Sequence, residues 1–485
     1  MNRRSFLLAT ATCTLAAGTG GLRAWAREPG RKFSLKSLHA QAAARAKELA
    51  NGRPTSLTIL LPQGSSANVA PVAAAFEAAS GIAFRFVETP VDEINSTMIV
   101  DLLSGDASFD LALPATFGLP DLAEAGALCN LDPFAGRYEP EAFQNDALFS
   151  LGDYYRGSLY GYQTDGDAYL MFYNRDWLED AEAGKRFADR HGYALMVPET
   201  WEQLDAMMAF FHQPEAERYG GALFRTPTYI AWEFWIRFHA KGHWPFDAEM
   251  VPQIAGEAGV EALEELIAAS KHLYPAARSN GLFDNWKAFA KGNIFCNVGW
   301  GGTQKHMNGA DSAVRGRLAF GPTPGGLVEG RLLVVPYFNW GWNYAVSSRS
   351  KQPEIAYLFA LYACSPAMST LAVREAGGFF DPFRKEHYGD RQIVETYGPD
   401  FLEAHRESMV RSIPDLYLKG QGEYFDALRE NLVLADTGAI SAREALERTA
   451  KQWRRTTRRM GQETQEEQWA FLRSRYPAEV QQALR

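Results

Sequence analysis

Two aspartates that precede a strongly apolar run are the most suggestive side chains for ligand chemistry. Asp165 and Asp167 stand directly before residues 169–173, a row of large apolar side chains that predicts a buried strand. A buried carboxylate without a partner is costly, so a carboxylate here needs one. Carboxylates are good acceptors for the hydroxyl groups of a neutral ligand, and the pair does not by itself indicate catalysis. Asp165 is equally consistent with a turn residue that shapes the start of the strand.

Tryptophans beside glycine are the second suggestive feature. Trp300 lies in a Gly-Trp-Gly-Gly sequence, and Trp340 and Trp342 flank a single glycine. A tryptophan in a glycine-rich loop presents a flat apolar face that suits the C–H face of a sugar ring. Tyr229 and Trp232 are also candidates, although Trp232 has another tryptophan three residues later and equally fits helix packing. We predict that at least one of the glycine-flanked tryptophans faces a ligand.

The sequence lacks the common motifs of catalysis and metal binding. It contains no Gly-x-Ser-x-Gly elbow, no phosphate-binding P-loop, no Gly-x-Gly-x-x-Gly after a predicted strand and no His-Glu-x-x-His. His239 and His243 have helical ligand spacing, but no carboxylate accompanies them, so packing explains them better than a metal does. We therefore predict a binding protein that has no catalytic residues, no metal and no cofactor.

The N-terminus predicts export. Arg3 and Arg4 precede Ser-Phe-Leu, a weakly apolar stretch follows, and a small-x-small cleavage site ends at Ala26. This pattern predicts a twin-arginine signal peptide over residues 1–26, cleavage after Ala26 and a periplasmic location. Residues 27–53 then form an N-terminal extension that is either helical or loose.

Composition limits the partners of the mature chain. Removing the three arginines of residues 1–26 would take the formal net charge from −9 to −12. A chain this acidic, without a basic stripe, is a poor ligand for nucleic acid, so we predict no nucleic-acid partner. The cysteines that remain lack CxxC spacing and are predicted to be buried thiols: Cys129, Cys296 and Cys364.

The elements that must position these side chains follow an alternating pattern. Residues 56–61 predict a strand, the next helix ends at Gly81, and a second strand, a second helix ending at Gly105 and a third strand at 109–113 follow. This order implies right-handed crossovers and a mainly parallel sheet. Ligands of such sheets bind beyond the carboxyl ends of the strands, which points to the loops at 62–67, 88–93 and 114–118. Similar strands after residue 160 predict a second α/β lobe.

A family resemblance rests on several short sequences in a fixed order. They are Phe76-Glu-Ala-Ala-Ser-Gly-Ile82, Phe109-Asp-Leu-Ala-Leu113, Leu159-Tyr-Gly followed by Met171-Phe-Tyr-Asn-Arg-Asp176, Phe289-Ala-Lys-Gly-Asn293 with Trp300, and Gly341-Trp-Asn-Tyr-Ala-Val-Ser347. Their order and spacing resemble those of the carbohydrate-binding extracellular solute-binding proteins of ABC importers, of the maltose-binding type.

That resemblance implies an α/β, two-lobed periplasmic binding protein fold. Each lobe would be a mainly parallel sheet flanked by helices, with a ligand cleft between the lobes. The N-lobe would comprise residues 54–163 and 326–378, and the C-lobe residues 164–317 and 385–485. Crossings between the lobes are expected near 160–168, 317–325 and 378–384.

The resemblance also implies positions for the ligand contacts. The carboxylate of the first crossing maps to Asp167, and the remaining contacts map to loops after the strands and to aromatic residues. Together with the residues chosen above, the expected ligand-binding set is Gln63, Ser65, Asp92, Glu93, Pro114, Thr116, Asp165, Asp167, Tyr229, Trp232, Trp300, Trp340, Trp342 and Arg384. Gln63 and Ser65 stand where the maltose-binding type has charged residues, and Pro114 replaces an aromatic residue, so the identity of the ligand does not carry over.

The expected function is that of a monomeric periplasmic receptor. It would bind a sugar, oligosaccharide or polyol and deliver it to the membrane permease subunits of an ABC importer. A receptor for a charged solute is the alternative, either a polyamine held by carboxylates or a phosphorylated polyol held by Arg225, Lys305 and Arg384. An exported enzyme on the same scaffold is less favoured.

Overall fold

The computed structural model describes residues 32–485, so the predicted signal peptide and cleavage site lie outside the described residues. Its strands are β1 (Ser56–Pro62), β2 (Ala83–Thr89), β3 (Leu111–Ala112), β4 (Tyr154–Tyr155), β5 (Ser158–Leu159), β6 (Gly161–Gln163), β7 (Asp167–Ala168), β8 (Leu170–Asn174), β9 (Tyr219–Ala222), β10 (Ile294–Gly299), β11 (Leu318–Pro322), β12 (Gly326–Val328), β13 (Arg331–Leu333), β14 (Tyr337–Trp340), β15 (Asn343–Val346) and β16 (Ile413–Pro414).

The helices are α1 (Leu38–Ala50), α2 (Ser66–Ser80), α3 (Ile94–Ser104), α4 (Leu119–Glu124), α5 (Asp132–Tyr138), α6 (Arg175–Leu178), α7 (Ala181–His191), α8 (Trp201–Phe211), α9 (Pro227–Ala240), α10 (Glu257–Ala269), α11 (Leu282–Phe289), α12 (Gly301–Met307), α13 (Pro353–Ala363), α14 (Pro366–Arg374), α15 (Arg391–Tyr397), α16 (Pro399–Arg411), α17 (Gln421–Asp436), α18 (Ala442–Met460), α19 (Gln462–Arg473) and α20 (Ala478–Ala483). Within 32–485, no single helix combines the length and apolarity needed to cross a bilayer.

The first sheet has the strand order β2-β1-β3-β15-β6. β1 is parallel to both β2 and β3, as the strand and helix pattern predicts. α2 connects β1 to β2 and ends at Gly81, whose φ of 77° is the left-handed conformation that glycine adopts without strain. β15 runs antiparallel to both β3 and β6, so only half of this sheet is parallel.

The second sheet has the order β11-β8-β10-β9 and is mostly antiparallel. β8 is antiparallel to β10 and β11, and only β9 and β10 are parallel. The prediction of a mainly parallel sheet is therefore wrong in this part. The reason is that the chain passes from β6 through β7 directly into β8. No crossover helix precedes β8, and the strand runs antiparallel to its neighbours.

A three-stranded sheet of order β16-β14-β7 lies between the two larger ones in the chain path. β7 pairs antiparallel with β14, and the Cα positions of Asp167 and Trp340 are partners in that pairing. The segment 161–174 thus contributes one strand to each of three sheets. Asp165 and Asp167 lie at the point where the chain leaves the first sheet.

The two ends of the described chain are packed helices. The extension predicted as helical or loose contains α1, which buries Ala42, Ala43 and Ala46 and packs on α2 and α13. Small side chains on one helix face permit this close approach. At the other end α17 packs on both α18 and α9, and the indole N–H of Trp453 donates to the Tyr424 carbonyl at 2.7 Å.

The C-terminal helices also contact the lobe built on the first sheet. The Asp121 carboxylate in α4 accepts from the backbone N–H groups of Gly420 (2.6 Å) and Gly422 (3.1 Å), at the start of α17. A carboxylate at a helix N-terminus meets free N–H groups and the positive end of the helix dipole. These bonds join α4, in the first lobe, to the C-terminal helices that begin with α17.

Candidate functional site

Three buried carboxylates form the centre of the candidate site. Asp165, Asp167 and Asp381 offer oxygens that all lie within 4.8 Å of one another, and each residue is buried. Asp165 and Asp167 precede and begin β7, whereas Asp381 comes from the stretch between α14 and α15. The cluster therefore joins two segments that are more than two hundred residues apart in sequence.

The three carboxylates have different hydrogen-bond partners. Asp165 Oδ1 accepts from the backbone N–H groups of Gly166 (2.8 Å) and Asp381 (2.5 Å). Asp381 accepts from the Gly301 N–H at 2.7 Å and from the Tyr397 hydroxyl at 2.9 Å. A carboxyl oxygen of Asp167 lies within 4.8 Å of oxygens of both Asp165 and Asp381. Among the described residues, Asp165 Oδ2 is buried and has no hydrogen-bond partner.

Burial and mutual repulsion disfavour three simultaneous charges. Burial, and then the neighbouring carboxylates, raise the pKa of Asp165 and of Asp167 well above the ordinary range. Backbone N–H donors oppose this rise at Asp165, because they stabilise its ionised form. Asp165 and Asp167 consequently retain protons at pH values where isolated aspartates would have lost them.

One lysine balances part of this charge without touching the carboxylates. The buried Lys305 ammonium in α12 donates to the carbonyls of Val373 (3.1 Å), Glu375 (2.8 Å) and Phe380 (2.9 Å), which uses all three of its N–H groups. Burial lowers the pKa of Lys305 to about 8, against the opposing effect of the Asp381 and Asp165 charges.

An aromatic cavity opens beside Asp167. Its volume is about 30 Å³, enough for roughly two water molecules. Its lining consists of Val91, Asp167, Tyr229, Leu282, Trp286, Trp300, Gly302, Trp342 and Phe379. A sugar-sized ligand therefore needs the two lobes to separate, or these rings to move, before it can enter.

A wider cleft of about 730 Å³ adjoins this cavity. The two share Trp286, Gly302 and Phe379, and the exposed Asp311 lies along the wider part. The wider cleft and the cavity therefore have these three residues as a common wall.

Ring contacts hold two aromatic side chains of the cavity wall, Trp300 and Tyr229. The Trp300 ring centroid lies 5.0 Å from that of Tyr169 and 6.2 Å from that of Tyr229. The Trp232 ring meets Trp300 edge-on at 6.2 Å. Such contacts fix the ring planes before a ligand arrives. Trp300 lies immediately before α12, so the glycine-rich loop expected around it is in fact the start of a helix.

The turn between Asp165 and Asp167 is fixed by a buried histidine. His405 Nε2 donates to the Gly166 carbonyl at 2.8 Å, and its Nδ1 accepts from the Tyr388 hydroxyl at 2.7 Å. Burial lowers the pKa of His405, which keeps the imidazole neutral and therefore able to accept at one nitrogen. A Cβ at Gly166 would lie 2.1 Å from the Pro382 carbonyl oxygen, so only glycine fits between the two segments.

The structure brings four of the sequence-predicted residues to the cavity wall. They are Asp167, Tyr229, Trp300 and Trp342, and Asp165 lies in the carboxylate cluster beside them. The side chain of Trp340 lies outside the described part of the chain. The other predicted residues do not line this cavity: Gln63, Ser65, Asp92, Glu93, Pro114, Thr116, Trp232 and Arg384.

Specific packing explains several of these differences. Trp232 is buried in the interior face of α9 behind the cavity wall. The Thr116 hydroxyl donates to the Gly341 carbonyl, which positions the chain before Trp342. Gln63 and Ser65 follow β1, but only their neighbour Gly64 reaches the wider cleft. Asp92 and Glu93 are exposed just after Val91, which does line the cavity.

The basic side chains suggested as an anion clamp are engaged by the protein itself. Arg384 pairs with Asp146 and donates to the Cys364 carbonyl at 2.6 Å. Arg225 donates to Glu233 at 2.6 Å and to Ser270 at 2.5 Å. With Lys305 held by carbonyls, none of the three is directed to the cavity by the bonds it makes.

Sequence reasoning missed Asp381, Val91, Leu282, Trp286, Gly302 and Phe379. Asp381 lies in the stretch 378–384 that was expected to cross between lobes, so an acid in that stretch was the available signal. Nothing local distinguishes Trp286 from a core residue, because it lies at helical spacing in α11.

Comparisons with known proteins agree with this architecture. The ribitol-bound ABC transporter solute-binding protein from Agrobacterium radiobacter K84 has a TM-score of 0.69 and 18% identity, with 82% of this chain and 98% of that one covered. The maltose-bound MalE3 of T. maritima gives 0.70 and 16%, covering 82% and 99%. The D-mannitol-bound protein from Agrobacterium vitis S4 gives 0.69 and 18%, covering 84% and 99%. These similarities confirm the two-lobed α/β periplasmic binding protein fold.

Sequence comparison identifies the family. A probable amino-acid ABC transporter periplasmic-binding protein from Sinorhizobium fredii is 24% identical over 318 residues, which cover 61% of this chain and 66% of that protein, just under two thirds of its length. Residues 72–396 match the sequence model of the bacterial extracellular solute-binding proteins. Because that match covers more than half of the chain, this protein belongs to the bacterial extracellular solute-binding protein family.

Proposed function

We propose that this protein is the periplasmic solute-binding component of an ABC importer for a small sugar or polyol. The observation that carries the proposal is the Asp167 carboxylate, which lies in a cavity lined by Tyr229, Trp300 and Trp342 between the two lobes. The aromatic rings suit the C–H faces of the solute, and the carboxylate suits its hydroxyl groups. Three similar structures contain ribitol, maltose and D-mannitol, which supports this class of ligand.

The proposed mechanism is closure of the two lobes over the solute. Trp342 and Val91 belong to the lobe of the first sheet, whereas Tyr229, Trp286 and Trp300 belong to the lobe of the second. A solute contacts both groups only when the lobes are closed, so it shifts the equilibrium towards the closed state. The closed receptor then delivers the solute to the membrane permease subunits, and no catalytic step is involved.

The domain boundaries belong to the same proposal. The N-lobe comprises 54–163 and 326–378, the C-lobe 164–317 and 385–485, and the crossings lie near 160–168, 317–325 and 378–384. The path of residues 161–174 from the first sheet to the second supports the first crossing. Export through a twin-arginine signal cleaved after Ala26 and a monomeric state complete the proposal.

Replacement of Asp167 by alanine tests the ligand site. Loss of a charged hydrogen bond costs about 1.5–3 kcal/mol, so calorimetric affinity for the sugar or polyol should fall at least tenfold. A thermal-shift screen of sugars and polyols against the mature protein first selects the solute, since a ligand of the folded state raises its stability. Asp311→Ala is the matched control, because it removes an exposed carboxylate along the wider cleft. Equal affinity of D167A and wild type for the solute would show that Asp167 is not part of the ligand site.

A further inference from the structure

The carboxylate that faces the cavity is the least compensated member of the cluster. Asp165 receives two backbone N–H groups, and Asp381 receives one N–H and a tyrosine hydroxyl. Asp167 receives neither kind of donor in the hydrogen bonds among the described residues, and one of its oxygens lies within 4.8 Å of oxygens of Asp165 and Asp381. Carboxyl groups this close repel each other unless one of them holds a proton. A proton on these carboxyl groups therefore takes the place that a positively charged group could occupy.

A second observation in the same cluster points to a missing positive group. Asp165 is fully buried, yet its Oδ2 has no hydrogen-bond partner among residues 32–485. A buried carboxylate oxygen without a donor is costly and calls for an explanation. Lys305 does not supply the donor, because its three N–H groups are directed to backbone carbonyls. The cluster therefore contains more carboxyl groups, three, than nearby cationic side chains, of which Lys305 is the one described above.

The cavity wall determines which kind of cation fits. Tyr229, Trp286, Trp300 and Trp342 surround the space next to Asp167. Aromatic faces attract ammonium groups through the cation–π interaction, especially where the site is desolvated. Calcium and magnesium instead require six or more oxygen ligands, and apart from Asp167 this wall is made of aromatic and aliphatic side chains and a glycine.

Trp286, which lines both the cavity and the wider cleft, carries a second polar group that needs a partner. Among the described residues, the indole N–H of Trp286 is buried and has no hydrogen-bond partner. An ammonium group supplies no acceptor for it, whereas a hydroxyl or ring oxygen does. A solute that satisfies both Asp167 and Trp286 therefore carries an amine together with oxygen groups.

We infer that the solute is an amino sugar or amino polyol whose protonated amine binds Asp167 between the aromatic rings. This inference rests on the function proposed above and narrows its ligand class. On binding, the ammonium replaces a proton held by Asp167, and that proton is released to solvent. No covalent bond of the solute is formed or broken.

Matched ligand pairs test the inference by calorimetry on the mature wild-type protein at neutral pH. Glucosamine is compared with glucose, and 1-amino-1-deoxysorbitol with sorbitol, since each pair differs only by one amine in place of a hydroxyl. We expect the amine of at least one pair to bind at least tenfold more tightly than its neutral partner. If the neutral members bind equally or more tightly, the inference is overturned while the proposed function stands. If neither these nor any other sugars or polyols bind, the proposed function itself fails.

Variants locate the preference within the cluster. Asp167→Asn retains the shape but removes the charge, and the preference for the amine should fall to less than threefold. Asp311→Asn removes an exposed charge along the wider cleft and should leave the preference unchanged. A preference that survives in D167N would overturn the assignment to Asp167. If D167N does not fold, the comparison of the ligand pairs on the wild-type protein still tests whether the solute carries an amine. Stabilisation by calcium or magnesium alone, at concentrations where the amines have no effect, would overturn the inference in favour of a metal.

Discussion

The buried carboxylate of Asp153 should make the ligand-free protein less stable as the pH rises. Asp153 is fully buried and accepts from the Gln163 N–H (2.7 Å), the Asn343 side-chain amide (2.6 Å) and the Gln144 side-chain amide (2.9 Å). Burial raises its pKa from 3.8 to about 8, although these donors oppose the rise. Asn343 follows Trp342 in sequence, so this carboxylate supports one wall of the ligand cavity.

The sign of the effect follows from proton binding in the two states. With the folded-state pKa raised, the folded protein retains a proton that the unfolded chain has already lost between about pH 4 and pH 8. The free energy of unfolding therefore falls as the pH rises through that window. From pH 5 to pH 8 the fall from this one group amounts to roughly 4 kcal/mol, at about 1.36 kcal/mol per pH unit. Asp153→Asn removes the titration while keeping a side-chain oxygen for two donors.

Urea denaturation at pH 5, 6.5 and 8 measures this difference. Wild type should lose several kcal/mol more than D153N between the lowest and highest pH. Other buried acids contribute with the same sign, including Asp415, whose pKa is raised to about 6 by burial, but they are common to both proteins. Asp311→Asn should keep the wild-type slope. If D153N shows the same pH dependence as wild type, the assignment of the raised pKa to Asp153 is refuted.

Two further predictions concern backbone and thiol packing. Gly166→Ala places a Cβ against the Pro382 carbonyl and should lower the free energy of unfolding by at least about 3 kcal/mol, whereas Gly184→Ala, on an open face of α7, should raise it by about 0.5–1 kcal/mol. Equal melting temperatures for the two variants would contradict the first. Cys296 and Cys364 are buried as predicted, whereas Cys129 is only partly buried. Burial still raises the pKa of all three, so Ellman's reagent at pH 8 should react slowly with the native mature protein and release three thiols after unfolding. Rapid labelling of the native protein would contradict this. The thiols concerned are Cys129, Cys296 and Cys364.

Local sequence patterns predicted the elements more reliably than the site. The strand and helix order of residues 56–113 is confirmed, because apolar periodicity and helix-ending glycines are local signals. The direction of β8 was predicted wrongly, because the sequence does not show that the chain passes between sheets without a crossover.

The site depends on contacts between distant segments, which local patterns do not encode. Arg384 was a reasonable candidate by charge, but its partner Asp146 lies 238 residues earlier and holds it away from the cavity. Trp286 was missed because it lies at helical spacing and has no distinctive local sequence, and the acid of the stretch 378–384, Asp381, was not singled out. Asp167 and Trp300, which line the cavity, were chosen from the local sequence, and the family resemblance added a second reason for Asp167.

The contact between the two segments 160–168 and 378–384 explains how a bound charge can affect lobe closure. The Asp381 N–H donates to Asp165, His405 holds the Gly166 carbonyl, and Gly166 lies directly against Pro382. The same two segments supply all three carboxylates of the cluster. If all three carboxylates were ionised, their repulsion would oppose the contact between the segments, and a cation at Asp167 would offset it. Under the proposed closure of the lobes, a cationic solute would then stabilise the closed arrangement in two ways, by bridging the lobes and by offsetting this repulsion.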